Sequence, residues 1–298
     1  MADRTAVLIY NPKSGRGGAR RERDVARFCK LLKAGGVRVE ALRTEGPDDA
    51  ARLARIAASE GVRDIIASGG DGTINEVLQG MIGTGARLGV WPAGTANVLA
   101  RELSIPFKLE RAAEVIMRGD SRRIHVGRAT VEATDERRYF FLMAGIGLDA
   151  SVVQKVRPRL KRRFGKAAFW YSGFGHLAHW EPTPFQVEIE GETFSATFAA
   201  VGKGPRYGGG LPITPRARLD QPEFELCLID SRSRLRYLYL LSHVVRGNTG
   251  LDVADVKFIR ATRARATGDA PVQVDGELIG RLPMTFDIAP HSVEVITK

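Results

Sequence analysis

Two cysteines in 298 residues, Cys29 and Cys227, stand far apart and without metal-ligand spacing. A disulfide scaffold does not fit that usage, and a reducing cytoplasm is the expected setting. Long apolar runs are missing as well. The longest, residues 238–245, is far shorter than a bilayer span and is interrupted by Ser242 and His243. Nothing at the amino end resembles a signal peptide, because Met1-Ala2-Asp3-Arg4 leads directly into a strand-like run. No internal repeat, low-complexity tract or Gly-x-Ser-x-Gly elbow of a serine hydrolase is present. His176 and His179 fall on adjacent helical turns without a third ligand, which reads as a surface pair rather than a metal site.

Positive charge, by contrast, is plentiful. The formal net charge of +11 asks for an anionic partner. Its densest cluster is Lys155, Arg157, Arg159, Lys161, Arg162, Arg163 and Lys166, followed by Phe169, Trp170, Tyr171, Phe174, Leu177 and Trp180. Basic residues beside interfacial aromatics suit peripheral contact with an anionic membrane surface. A solvated basic loop followed by an amphipathic helix accounts for the same residues. No nucleic-acid-binding motif accompanies the charge, so nucleic acid is not the expected partner. Oligomeric assembly is left open.

Hydrophobic residues at 44% suffice for a substantial core, and the length fits one large domain or two ordinary ones. The first 122 residues alternate strand and helix: strands at 5–10, 37–42, 65–68 and 88–91, helices at 19–33 and 48–59. That order predicts a doubly wound α/β domain with a mostly parallel sheet, whose ligands collect at the carboxyl ends of the strands. From 123 to 298 the pattern changes to period-two runs at 138–144, 185–189, 194–201, 224–229, 272–274, 284–288 and 293–296. These predict an antiparallel, β-rich second domain of sandwich or barrel type, with helical interludes at 165–179 and 235–245.

The richest segment is Ser68-Gly69-Gly70-Asp71-Gly72-Thr73-Ile74-Asn75-Glu76. Three glycines let a backbone approach a ligand closely, and the amides opening the next helix attract anions. Thr73 and Glu76 have capping-box spacing, which supports a helix start there. A carboxylate, Asp71, in a phosphate-friendly turn suggests a divalent cation between two negative groups, hence a magnesium nucleotide. A strand–turn–helix connection needing glycine for geometry alone is the plainer alternative. Two more loops follow strands: Asn11-Pro12-Lys13-Ser14-Gly15-Arg16-Gly17-Gly18 and Pro92-Ala93-Gly94-Thr95-Ala96-Asn97. The first is neither a Walker A loop nor a dinucleotide fingerprint, since Arg20 stands where the last glycine is needed. All three are expected at one sheet edge. Asp275-Gly276-Glu277 reads as a hairpin turn, or as the source of a general base facing the first domain across a cleft.

Together these segments resemble the diacylglycerol kinase catalytic-domain family, closest to its bacterial lipid kinase branch, and their order spans the chain. The resemblance implies two domains with ATP in the cleft and transfer of its γ-phosphate to a lipid hydroxyl, the acceptor being diacylglycerol-like. Carried over by position, Asn11, Pro12, Lys13, Ser14, Gly15, Thr44, Gly70, Asp71, Gly72, Thr73, Ile74, Asn75, Glu76 and Thr95 would hold the nucleotide. Glu277 would accept the proton, and Asp71 would act on the magnesium–phosphate end. Gly208-Gly209-Gly210 with Pro215 and Ala217 is similar to a further family motif. In the family, an acidic run before a strand helps to hold a structural magnesium. Here it reads Leu219-Asp220-Gln221-Pro222, which leaves Asp220 as the candidate metal ligand. Lys203-Gly204 replaces the usual Asn-Gly, and Ile124-His125 the usual Ile-Asp. An NAD kinase-like enzyme and a non-catalytic nucleotide- or lipid-binding relative are the alternatives.

The basic cluster yields the first prediction. Vesicle binding by the purified protein, followed by sedimentation, should rise with anionic lipid content and fall with added salt. Equal binding to neutral vesicles would return the cluster to the solvated-loop reading.

Overall fold

The computed structural model describes residues 4–15, 17–155, 180–207, 210–245 and 255–298. The helix expected over 165–179, the His176–His179 pair and the basic cluster beyond Lys155 lie outside the described residues. The chain forms two compact units, Met1–Ile124 with His291–Lys298, and His125–Pro290.

The first unit runs β1 (Arg4–Tyr10), α1 (Gly18–Ala34), β2 (Val37–Arg43), α2 (Asp49–Ser59), β3 (Asp64–Gly69) and α3 (Asp71–Met81). It continues through β4 (Arg87–Pro92), α4 (Val98–Glu102), α5 (Leu109–Arg118) and β5 (Ser121–Ile124). The second unit begins with β6 (Gly127–Val131), β7 (Glu136–Phe140), β8 (Met143–Gly147), α6 (Leu148–Lys155), β9 (Phe185–Ile189), β10 (Glu192–Ala196) and β11 (Phe198–Gly202). The pair β12 (Arg206–Tyr207) and β13 (Leu211–Pro212) precedes β14 (Phe224–Ile229) and α7 (Arg234–Val245). Then come β15 (Val256–Ala261), β16 (Arg263–Thr267), β17 (Pro271–Val274), β18 (Glu277–Arg281) and β19 (Met284–Ile288). The last strand, β20 (Val293–Ile296), belongs to the first unit.

The first sheet has the order β2-β1-β3-β4-β20-β5, parallel throughout except for the β20–β5 pair. Its inner strands are apolar along nearly their whole length because both faces are covered. On one face Leu8, Ile66 and Trp91 pack against Phe28, Leu32, Ala112 and Ile116 of α1 and α5. The opposite parity, Val7, Ile9, Ile65 and Val90, is equally buried. Phe28 stacks on Trp91 with ring centroids 4.3 Å apart. At the amino edge the buried Asp64 is held by Arg4 and by Arg87, the latter through bonds of 2.7 and 3.0 Å.

The second unit is a sandwich of two six-stranded antiparallel sheets, β10-β9-β16-β19-β6-β7 and β15-β14-β11-β8-β17-β18. One core joins them: Phe140, Val187 and Phe286 from the first sheet, Ile146, Val201, Leu226 and Val272 from the second. Two period-two runs that read as single strands are broken. The run at 194–201 divides at Thr197, where the chain passes from one sheet to the other. There the Thr197 hydroxyl donates to the Ser231 carbonyl at 2.8 Å and accepts the Ser231 amide at 3.1 Å. The run at 138–144 divides at Phe141-Leu142, whose amides turn toward a carboxylate described below.

The domain division expected at 122/123 needs a correction at its far end. Residues 293–296 alternate like the strands before them, yet β20 inserts between β4 and β5. Alternation reports a strand with one buried face and says nothing about which sheet receives it.

Candidate nucleotide site and the Asp275 turn

Register places three loops at one edge. Tyr10 pairs with Ser68, and Ser68 with Trp91, so β1, β3 and β4 end together. The segments at 11–15, 70–71 and 93–97 therefore leave the sheet side by side, as the sequence led us to expect. Thr44 joins them from β2, its amide donating to the Tyr10 carbonyl at 3.0 Å.

Each loop is braced by its own side chains. The Asn11 side-chain oxygen accepts the Lys13 amide at 2.9 Å, an Asx turn that curls 11–14 over the strand end. Pro12 and Ser14 are half-buried in this loop, while Lys13 and Gly15 are exposed. Asn97, in a left-handed conformation at φ 46, accepts the Gly94 amide at 2.9 Å and donates back to its carbonyl at 2.7 Å. That two-way clamp fixes the third loop, with Thr95 exposed at its tip. The second and third loops meet backbone to backbone: a Cβ on Gly94 would lie 2.3 Å from the Gly70 Cα. No other residue type fits at Gly94.

The helix after Gly70 begins three residues earlier than the capping-box spacing suggests. Gly70 is the N-cap, Asp71 and Gly72 open α3, and Thr73 is already a buried helical residue with Ile74 and Asn75. The capping-box expectation is therefore overturned. The Glu76 carboxylate accepts the Ala50 amide at 3.2 Å and ties α3 to the first turn of α2. Asp71 is half-buried, and one carboxylate oxygen accepts the Leu99 amide at 3.4 Å. Desolvation pushes its pKa up, while the amides of Leu99, Val98 and Asn97 hold it down. Asp71 thus braces the second loop against α4 and still carries a second oxygen.

Arg21, which the sequence did not single out, is the buried cation of this edge. Its guanidinium donates to the Ser68 carbonyl at 3.1 Å and hydroxyl at 2.7 Å, and lies 4.5 Å from the Trp91 ring centroid. Burial pushes its pKa down. Gly15, Arg20, Arg21, Trp91, Pro92 and Ala93 are among the residues lining a recess of about 260 Å³ beside these loops. Arg27, Asp24, Phe107 and Leu109 line it too, so the recess is predominantly cationic with one carboxylate and an apolar wall, and its size suits part of a ligand. The signal for Arg21 was its spacing of seven from Phe28, which puts both on the inward face of α1.

In the second unit, Asp275 is an anchor. Its carboxylate accepts the amides of Phe141, Leu142 and Met143 at 2.8, 3.1 and 3.0 Å. Behind it the buried Gln273 accepts the Gly276 amide at 2.6 Å and donates to Asp149 at 2.5 Å. Gly145 leaves room for this pair, since a Cβ there would lie 2.0 Å from the Asp149 carboxylate. Glu277 follows the turn and is exposed at the start of β18. Asp149 and Gln273 were missed in the sequence: Gln273 lies on the parity opposite the core-facing Val272 and Val274, where a polar residue reads as solvent-facing. Asp220 pairs with Arg218 through two bonds of 3.1 Å. Among the described residues no cluster of three His, Cys, Asp or Glu side chains is placed to hold a metal, and no helix is long and apolar enough to cross a membrane.

Comparison with known proteins agrees with this architecture. Residues 5–129 match the diacylglycerol kinase catalytic domain, and residues 143–297 the YegS C-terminal NAD kinase beta sandwich-like domain. Diacylglycerol kinases of Staphylococcus aureus strains bovine RF122 and MRSA252 are each 32% identical over 286 residues, covering 94% of this chain and 88% of theirs. A crystal structure of a diacylglycerol kinase from Bacillus anthracis str. Sterne aligns with a TM-score of 0.77 at 21% identity. It covers 99% of this chain and 97% of its own, a likeness of fold.

The Asp149–Gln273 pair generates the second prediction. Desolvation raises the Asp149 carboxyl from 3.8 to about 7, so between those values the folded protein binds a proton that the unfolded chain has lost. This group's contribution to stability is fully present below about pH 4 and fades as pH rises through 7. Urea unfolding of wild type against Asp149→Asn, which keeps an acceptor for Gln273, should show a stability difference that changes with that sign. A difference independent of pH would remove Asp149 as its source.

Proposed function

The chain belongs to the diacylglycerol kinase catalytic-domain family, and on that footing we propose that it transfers the γ-phosphate of ATP to the hydroxyl of a diacylglycerol-like lipid. The observation that carries this reading is the convergence of the 11–15, 70–76 and 93–97 segments on one sheet edge, locked by the Gly70–Gly94 approach. Such an edge offers main-chain amides and the Arg21 charge to a triphosphate.

Phosphoryl transfer asks little covalent chemistry of a protein and much positioning and charge neutralisation. Asn11 through Gly15, Thr44 and Thr95 would bound the nucleotide, with Gly70 to Glu76 beneath its phosphates. Magnesium bound with the nucleotide supplies neutralisation of the migrating phosphoryl charge. Asp71 has the carboxylate for that end of the site, held in place by the α4 amides. Glu277 accepts the hydroxyl proton as the lipid oxygen attacks. Its exposure suits an acceptor that arrives from a membrane, and the rigid Asp275 anchor fixes the backbone that carries it.

Labelled ATP incubated with a total lipid extract, resolved by chromatography, tests the donor and the acceptor class together. Labelled lipid is the expected product. Labelled NADP after addition of NAD would favour the NAD kinase-like alternative, and no labelled product a non-catalytic relative.

Two substitutions separate the roles. Glu277→Gln should lower turnover about 10²–10⁴-fold with nucleotide affinity nearly constant. Asp71→Asn should cost about 10²-fold or more in turnover. Weak ATP binding by Glu277→Gln would instead assign Glu277 to the nucleotide, and near-normal turnover by Asp71→Asn would remove its phosphate role.

A further inference from the structure

Lys203, at the end of β11, is fully buried. Its ammonium has three protons to place. All three go to main-chain carbonyls of one loop: Arg218 at 3.1 Å, Gln221 at 2.5 Å and Glu223 at 2.8 Å. Burial pulls its pKa down to about 8, with Glu223 and Asp220 opposing the shift, so the ammonium is charged at neutral pH. The main chain of the lysine is fixed as well. The amides of Lys203 and Gly204 both donate to the Leu142 carbonyl, at 2.8 and 3.0 Å.

Three carbonyl oxygens turned to one buried point repel one another unless a cation sits among them. Hard divalent cations take such oxygens as ligands, and the family resemblance places a structural magnesium in this loop. The residues present do not fit one. The carbonyls are already occupied by an ammonium, the neighbouring position is the neutral Gln221, and Asp220 is paired with Arg218. The two departures from the family pattern, Lys203 and Gln221, thus fall in one loop neighbourhood, where the Lys203 ammonium donates to the main-chain carbonyl of Gln221 at 2.5 Å.

We propose that the Lys203 ammonium is a built-in cation that stands in for a structural metal, so that the 218–223 loop keeps its shape without magnesium. One departure adds a positive charge at the end of β11 and the other removes a negative charge from the loop. The loop's cation is then covalently attached and present at any metal concentration.

Thermal unfolding of the purified full chain, without nucleotide, tests this. Omitting ATP keeps any magnesium that travels with the nucleotide out of the measurement. The wild-type midpoint should be the same in EDTA and in millimolar magnesium, and the dialysed protein should contain far less than one equivalent of divalent metal. Lys203→Met, which keeps the apolar stem and removes the charge, should lower the midpoint by roughly 5 °C or more. The double variant Lys203→Asn/Gln221→Asp, with a neutral side chain and a second carboxylate, should gain a midpoint that rises with magnesium. A wild-type midpoint that falls in EDTA, or stoichiometric bound metal, would overturn the proposal whether or not the variants fold. An unchanged midpoint for Lys203→Met would overturn it as well.

Discussion

Gly94 approaches Gly70 so closely that it can carry no side chain, and the candidate nucleotide edge is arranged around that approach. Sheet register brings the two loops to the same height, and the Asn97 clamp holds one of them still. The turn at 70–71 and the loop at 93–97 therefore lie backbone against backbone and form one surface. Arg21 adds a cation beneath this surface, held by Ser68 and Trp91.

The second unit is braced by a carboxylate. Asp275 gathers three main-chain amides, from residues 141–143. A carboxylate with that many donors is a fixed brace, which is why Asp275 and Glu277, two residues apart, divide into anchor and exposed group. Gln273 and Asp149 extend the brace inward from the turn.

Much of this was legible in the sequence because it depends on local pattern. Apolar runs such as 65–68, closed by glycine, announce buried parallel strands, and loops that follow successive parallel strands must share an edge. What was not legible depends on partners distant in the chain. VEVI at 293–296 shows a strand but not its neighbours β4 and β5. Thr73 and Glu76 have capping spacing, yet Gly70 caps α3 and Glu76 is drawn to Ala50 of another helix. Thr197 interrupts a run whose alternation continues on both sides, because its hydroxyl answers groups of Ser231, distant in the chain. Lys203 and Gln221 looked like two unrelated departures until the fold placed the Lys203 ammonium on the main chain of the loop that carries Gln221.

The placement of β20 also bears on how the protein is made. The first sheet takes its fifth member from residues 293–296, while its other strands lie within the first 124. During synthesis the sandwich at 125–290 leaves the ribosome before that strand does. The amino-terminal half must therefore wait with β4 and β5 unjoined, an open seam in a hydrophobic sheet. Closing the seam pairs residues more than 160 positions apart, as Glu294 with Arg123. Such contacts form late and slowly. The loops after β1, β3 and β4 lie on the part of the sheet that can pair early, so the late step falls on the β4–β20–β5 side alone.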